Sequence, residues 1–210
     1  MEDNPIIAAV KDDQGLQQAL ETDCKVIFLL YGNVCSIASL VDQVKSTGKM
    51  AYVHADLIDG LASREVAVTF IKTTTHANGI ISTKPAIVKA AKEQGLVTVQ
   101  RFFLLDSLAL SNFKKYVDAG WADMIEVMPA TMPKIIRRIS QMSHVPIIAG
   151  GLISDKEDVM LALQNGAAAV STMHRELQSG KWTAFAVFWQ MAVAYVISFI
   201  AYMLLGPILP

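Results

Sequence analysis

VPIIAGGLISDKEDVMLALQNGAAAVSTM, residues 145–173, is the stretch from which the rest of the chain can be read. An apolar run, Val145 to Ala149, meets the glycine pair Gly150 and Gly151. Ser154 and Asp155 open a segment whose apolar residues Val159, Leu161 and Ala162 recur at helical spacing, and Asn165–Gly166 stops it. A second apolar run, Ala167 to Val170, ends in Ser171 and Thr172. The order is strand, glycine turn, helix, strand. A glycine pair just past a buried parallel strand lets the backbone approach a ligand, because no Cβ intervenes. Its N–H groups, with the Ser171 and Thr172 hydroxyls one unit later, are suited to surround a phosphate. In closed barrels of eight βα units, phosphate commonly sits after strands 7 and 8. Six earlier strands are therefore required.

Working outward, β-like runs recur about every two dozen residues, the size of one compact βα unit. They are Ile6–Val10, Val26–Leu30, Met50–His54, Gly79–Ser82, Val97–Phe103, Met124–Met128, Pro146–Ala149 and Ala168–Thr172. Helical spacing fills the intervals at Leu16–Leu20, Ile37–Val44, Val66–Thr73, Ile87–Ala91, Leu108–Val117, Met132–Ile139 and Val159–Leu163. Gly48, Gly95 and Gly120 supply stops, and Asp106, Ser107 and Thr131 supply starts. The runs are almost wholly apolar rather than alternating, as strands covered on both faces should be. The expected fold is α/β, a (β/α)8 TIM-type barrel over residues 1–177. A doubly wound open sheet is the alternative, disfavoured by the glycine pattern of the last two runs.

The 210 residues suit one domain with a sizeable core, and the formal charge of -1 supplies no basic excess for polyanion binding. A role on RNA would need a local patch or a partner. Cys24 and Cys35 lie near opposite ends of the second run, beyond disulfide reach, and read as free thiols in a reducing compartment. The first residues are acidic and polar, so no signal peptide is expected there.

Polar residues at C-terminal strand ends are the informative ones in such a barrel. The third run continues as HADLIDG, placing His54 and Asp56 two apart and therefore on the same face. The fifth carries Gln100 and Arg101; the sixth carries Glu126 within IEVMP. A buried carboxylate demands a partner or a ligand. Either His54 and Asp56 pair with each other, or they face a ligand. Glu126 likewise either bridges to Arg101 or reads a ligand. Arg101 and Phe102 point to opposite faces, and the spacing does not say which enters the pore. Ser82 and Thr83 either cap the following helix or face the ligand. No metal centre is expected, since His54, Asp56 and Glu126 lack a tight ligand spacing. Neither a nucleophilic serine elbow nor a well-placed Schiff-base lysine is evident, Lys84 being the nearest candidate.

The ordered set HADLIDG (54–60), GIISTK (79–84), QRFFLLD (100–106), IEVMPA (125–130), IIAGGLI (147–153) and GAAAVSTM (166–173) resembles the glycerol uptake operon antiterminator family from about Pro5 to Leu177. The resemblance implies a glycerol-3-phosphate-responsive regulator without catalytic turnover or cofactor. Ligand-bound, such a protein acts on the leader mRNA of glycerol-utilisation transcripts and prevents premature termination. On that reading Gly150, Gly151, Ser171 and Thr172 hold the phosphate. His54, Asp56, Arg101 and Glu126 line the mouth and read the glycerol hydroxyls. Lys134, Arg137 and Arg138 form a small basic cluster that either touches RNA or is a solvated helix face.

HADLIDG also resembles the H-x-D-x-x-D-G element of pentulose-phosphate epimerases, so an epimerase or aldolase acting on a triose or pentose phosphate is the alternative. Such chemistry needs an opposing carboxylate near the phosphate loop. Ala149 stands before the glycine pair, and IIAAVK ends the first run in Lys11, so that second acid is missing.

From Trp182 to Pro210 no residue is charged. The segment 182–205, at ~1.5 Å rise per residue, exceeds a hydrocarbon core of ~30 Å. Arg175 and Lys181 precede it and nothing basic follows. The expectation is a membrane anchor that leaves the barrel at the cytoplasmic face. The competing reading makes this apolar helix the barrel's eighth covering helix, with its outer face buried in a homodimer. The family's pattern ends soon after the eighth run, so the segment is a departure from it.

Overall fold

The computed structural model describes residues 4–173. The apolar segment 182–205, with its anchor and covering-helix readings, lies outside them. Among the described residues no helix is long and apolar enough to cross a membrane.

Strands and helices alternate throughout. The strands are β1 (Ile6–Val10), β2 (Val26–Leu29), β3 (Met50–His54), β4 (Gly79–Ser82), β5 (Val97–Phe103), β6 (Met124–Met128), β7 (Ile147–Gly150) and β8 (Ala169–Met173). The helices are α1 (Asp13–Leu20), α2 (Ile37–Ser46), α3 (Glu65–Thr74), α4 (Pro85–Glu93), α5 (Ser107–Asp118), α6 (Pro133–Met142) and α7 (Lys156–Gln164). Each strand pairs in parallel with the next, and β8 returns to β1, closing the barrel. The open sheet is excluded. The last two strands each begin one residue later than the apolar runs suggested, which carries Gly150 into β7 and Met173 into β8.

Alternation along each strand divides the core into two layers. Ile7, Val26, Phe28, Tyr52, Ile81, Val99, Met124, Ile148 and Ala169 fill the pore. The intervening residues, such as Ala8, Ile27, Val53, Ile80, Ile125, Ala149 and Val170, face the helices. A side chain such as Phe28 or Ile81, fully buried, contributes on the order of 2 kcal/mol relative to exposure. Phe28 and Tyr52 pack with ring centroids 5.7 Å apart. Gly79 sits where an added Cβ would lie 2.4 Å from the Val97 carbonyl oxygen and 2.7 Å from the Tyr52 ring. The absence of a side chain there lets Tyr52 lie across β4 and plug the lower half of the pore.

Aspartates fix three helix starts. Asp12 accepts from Gly15 N, Asp106 from Ala109 N and Asp155 from Asp158 N, each satisfying a donor that the first turn leaves unpaired. Thr131 and Ser107 do not cap; α6 begins instead with Pro133 in its first turn, where the missing N–H costs nothing.

Candidate functional site

Register brings the polar residues of β5, β6 and β8 together. Arg101 lies directly opposite Glu126 in the β5–β6 pair, and Gly150 opposite Ser171 in the β7–β8 pair. Arg101 turns into the pore. Phe102 turns outward onto Phe113 and Tyr116, at centroid distances of 5.6 and 5.1 Å, which settles the choice left open by the sequence. Arg101 Nε donates to Glu126 Oε2 at 2.6 Å, with the Glu126 side chain 1% exposed. Ser171 Oγ donates to Glu126 Oε1 at 2.5 Å. A hydroxyl has one proton. In this arrangement Ser171 therefore offers its surroundings acceptor lone pairs, not a donor for phosphate.

The two glycines behave differently from the open cradle inferred above. A Cβ on Gly150 would meet Ser171 Oγ at 2.5 Å and Glu126 Oε1 at 2.8 Å. Its missing side chain thus makes room for the carboxylate and hydroxyl of this chain. Gly151 has φ +74°, a left-handed conformation, and a Cβ there would meet Met128 Cε at 2.7 Å. The next residue, Leu152, is also left-handed at φ 58°. The turn is tied to the neighbouring loop where Ala130 N donates to Gly151 O at 3.1 Å.

A cavity of about 140 Å³ opens at this mouth, lined by Arg101, Glu126, Gly151, Leu152, Ser171 and Thr172 together with apolar residues including Ala9, Leu30 and Met173. Arg101 and Glu126 are the charged residues of this wall, one of each sign. Ser171 and Thr172 are on opposite faces of β8: Ser171 faces Glu126, while Thr172 is in register with Ala8, which packs in the outer layer. The sequence missed the apolar lip, Leu152 and Met173, since exposed apolar residues carry no motif.

His54 and Asp56 do not line that cavity, although His54 lies within reach of the Arg101 charge. β3 ends at His54, and Asp56 belongs to a 3-10 turn, Ala55–Leu57, so strand alternation does not put them on one face. Asp56 instead accepts from Ser82 Oγ at 2.8 Å, Thr83 N at 2.7 Å and Thr83 Oγ1 at 2.8 Å. Burial raises the Asp56 carboxyl, but these hydrogen bonds outweigh it and hold the group below its ordinary value. Ser82 also accepts from Lys84 N at 3.0 Å, so Ser82 and Thr83 orient Asp56 and the β4–α4 turn together. His54 is 2% exposed, and its Nδ1 has no hydrogen-bond partner. Burial, then the Arg101 charge, push the imidazole down to about 4, with Asp56 acting in the opposite sense.

Ala149 points to the helix layer. An acid there would not have faced the mouth, so its absence is not what distinguishes this site from an epimerase. The pore positions of β7 are Ile148 and Gly150, neither of them acidic. Among the described residues no group of three or more His, Cys, Asp or Glu is placed to hold a metal. The start of α7 is self-satisfied and acidic: Asp158 accepts from Ser154 N and Oγ, and Glu157 stands beside it. Lys134, Arg137 and Arg138 are exposed on α6.

A closed parallel barrel with a small, largely apolar cavity at the C-terminal strand ends, carrying Arg101 and Glu126 in its wall, defines the class: a (β/α)8 barrel. The chain belongs to the glycerol-3-phosphate responsive antiterminator family, whose model matches residues 6–178. The glycerol uptake operon antiterminator regulatory protein from Listeria monocytogenes is 33% identical, with TM-score 0.76 over 80% of this chain and 90% of that one. A glycerol uptake operon antiterminator-related protein from Thermotoga maritima is 32% identical, with TM-score 0.71 over 80% of this chain and 94% of that one. YgcP of Escherichia coli K12 is 42% identical over 180 residues, 86% of this chain and 92% of that protein. A deoxyribose phosphate aldolase from Aeropyrum pernix, 16% identical with TM-score 0.60, shares the fold.

Proposed function

We propose that this chain binds glycerol-3-phosphate in the mouth cavity and, so loaded, acts on the leader mRNA of glycerol-utilisation transcripts as an antiterminator. The observation that carries the reading is the family match over residues 6–178, whose family description names the ligand class and the activity. The cavity at the expected strand ends, with Arg101 and Glu126 in an otherwise largely apolar lining, supports it. The phosphate is assigned to the backbone of the Gly150–Gly151 turn and of Ser171–Thr172. Arg101 supplies the positive charge, and Glu126 and the Ser171 hydroxyl face the polyol. His54 and Asp56 shape the neighbouring side of the mouth through β3 and the β4 turn. Lys134, Arg137 and Arg138 are assigned to RNA phosphates. The protein works without cofactor or turnover, on the cytoplasmic side. For residues 182–205 the proposal is attachment to a membrane, the competing reading being a covering helix whose outer face is buried in a homodimer.

Ligand binding alters RNA affinity only through a difference in affinity between two states of the protein. Calorimetry with glycerol-3-phosphate tests the assignment. The expected result is saturable binding to the native chain and its loss in Gly151→Leu, where the left-handed backbone and Met128 both oppose a side chain. Unchanged affinity in that variant would remove the turn from the site. An aldolase and epimerase assay on the same sample tests the enzyme alternative, whose expected turnover is zero.

A further inference from the structure

We infer that Glu126 makes the cavity selective for a phosphorylated ligand that presents a hydroxyl, and refuses the analogue with a carbonyl at that carbon. The inference rests on the proposed function and goes beyond it by naming the ligand feature that is read. Glu126 is 1% exposed on the pore face of β6 and, as the carboxylate partner of a guanidinium, can only accept hydrogen bonds. A carboxylate has about four lone-pair sites. Arg101 Nε and Ser171 Oγ fill one on each oxygen. Because the Ser171 hydroxyl directs its one proton at Glu126, two neighbouring groups on this wall both present lone pairs.

Gly150 holds that pairing in place, because a Cβ at 2.5 Å from Ser171 Oγ and 2.8 Å from Glu126 Oε1 would drive the two apart. The donor that satisfies the wall must come from the ligand. An alcohol supplies one. A carbonyl oxygen would face lone pairs with no proton between them, and burying it there leaves unsatisfied acceptors on both sides. Arg101 is the one cation of the lining, with Nε turned to Glu126; its other donors are drawn by charge to the phosphate. Sites built to hydrogen-bond a hydroxyl discriminate strongly against ligands that lack it.

The test is calorimetry on the full chain with glycerol-3-phosphate, dihydroxyacetone phosphate and 1,3-propanediol monophosphate, which lacks the central hydroxyl. The native chain should bind glycerol-3-phosphate at least about tenfold more tightly than either analogue. Glu126→Gln, which places an amide donor on the wall, should narrow the preference over dihydroxyacetone phosphate to less than about threefold. Equal binding of the three compounds by the native chain overturns the inference without using any variant, and leaves the proposed function standing. Undiminished preference in a folded Glu126→Gln also overturns it. A native chain that binds none of them overturns the proposed function itself.

Discussion

Arg101 Nε lies 2.6 Å from Glu126 Oε2 across a strand pair in which their Cα atoms are direct partners, and both side chains are more than nine-tenths buried. Two charges removed from water attract strongly, yet each also loses its hydration, so the pair is costly to break and of small net value when complete. Arg101→Met should cost about 3–5 kcal/mol in urea unfolding, because it leaves the Glu126 carboxylate buried without its cation. The double variant Arg101→Met with Glu126→Leu should lose less than either single change. Additive losses would mean that the two residues do not act as a pair.

Gly150 is expected to tolerate no side chain while Ser171 and Glu126 keep their positions. Gly150→Ala should destabilise by about 2 kcal/mol through the close contacts with those two oxygens. Ser171→Ala in the same chain should return part of that loss, since it deletes the nearer oxygen. A double variant as unstable as the sum of the singles would place the strain elsewhere.

His54 gives the barrel an acid-sensitive component. The unfolded imidazole takes a proton near 6.5, whereas the native one, buried beside the Arg101 charge, resists until about 4. Its contribution is therefore complete above pH 6.5 and is lost as pH falls from 6.5 to about 4, with no further change below. This loss amounts to about 2 kcal/mol at pH 5 relative to pH 8. His54→Gln should flatten the stability profile across that interval, measured by urea unfolding at both pH values. An unchanged slope would assign the acid sensitivity to other groups.

The two thiols should differ in reactivity by position. Cys35 is exposed, while Cys24 is buried and its Sγ accepts from Thr22 Oγ1 at 2.9 Å. A thiol reagent should modify Cys35 in the native protein and reach Cys24 only on unfolding. Rapid modification of both would contradict the packing of Cys24 beneath α1.

The barrel was legible because its evidence is periodic. Nearly continuous apolar runs with helical spacing between them specify strands covered on two faces, and Asp106 announced its cap by residue type alone. The Arg101–Glu126 alternative was also readable, as two charges in adjacent apolar strands have few ways to be buried. Side-chain direction was harder. Arg101 and Phe102 could not be ordered without the register, and Ala149 was credited with a pore position that Gly150 holds. Asp56 was misplaced because strand alternation was carried past His54 into a 3-10 turn. The partners of Asp56, Ser82 and Thr83, come from the next strand end, a contact that only the closed sheet creates.

Tyr52, lying across Gly79, gives the barrel a floor. The molecule is a cup, not a conduit, so whatever enters the cavity leaves by the door it came through. Departure then passes the lip formed by Leu152 and Met173, which are 73% and 40% exposed. On the proposed function, how long a signal outlasts the free ligand depends on how readily the bound ligand slips past these two side chains.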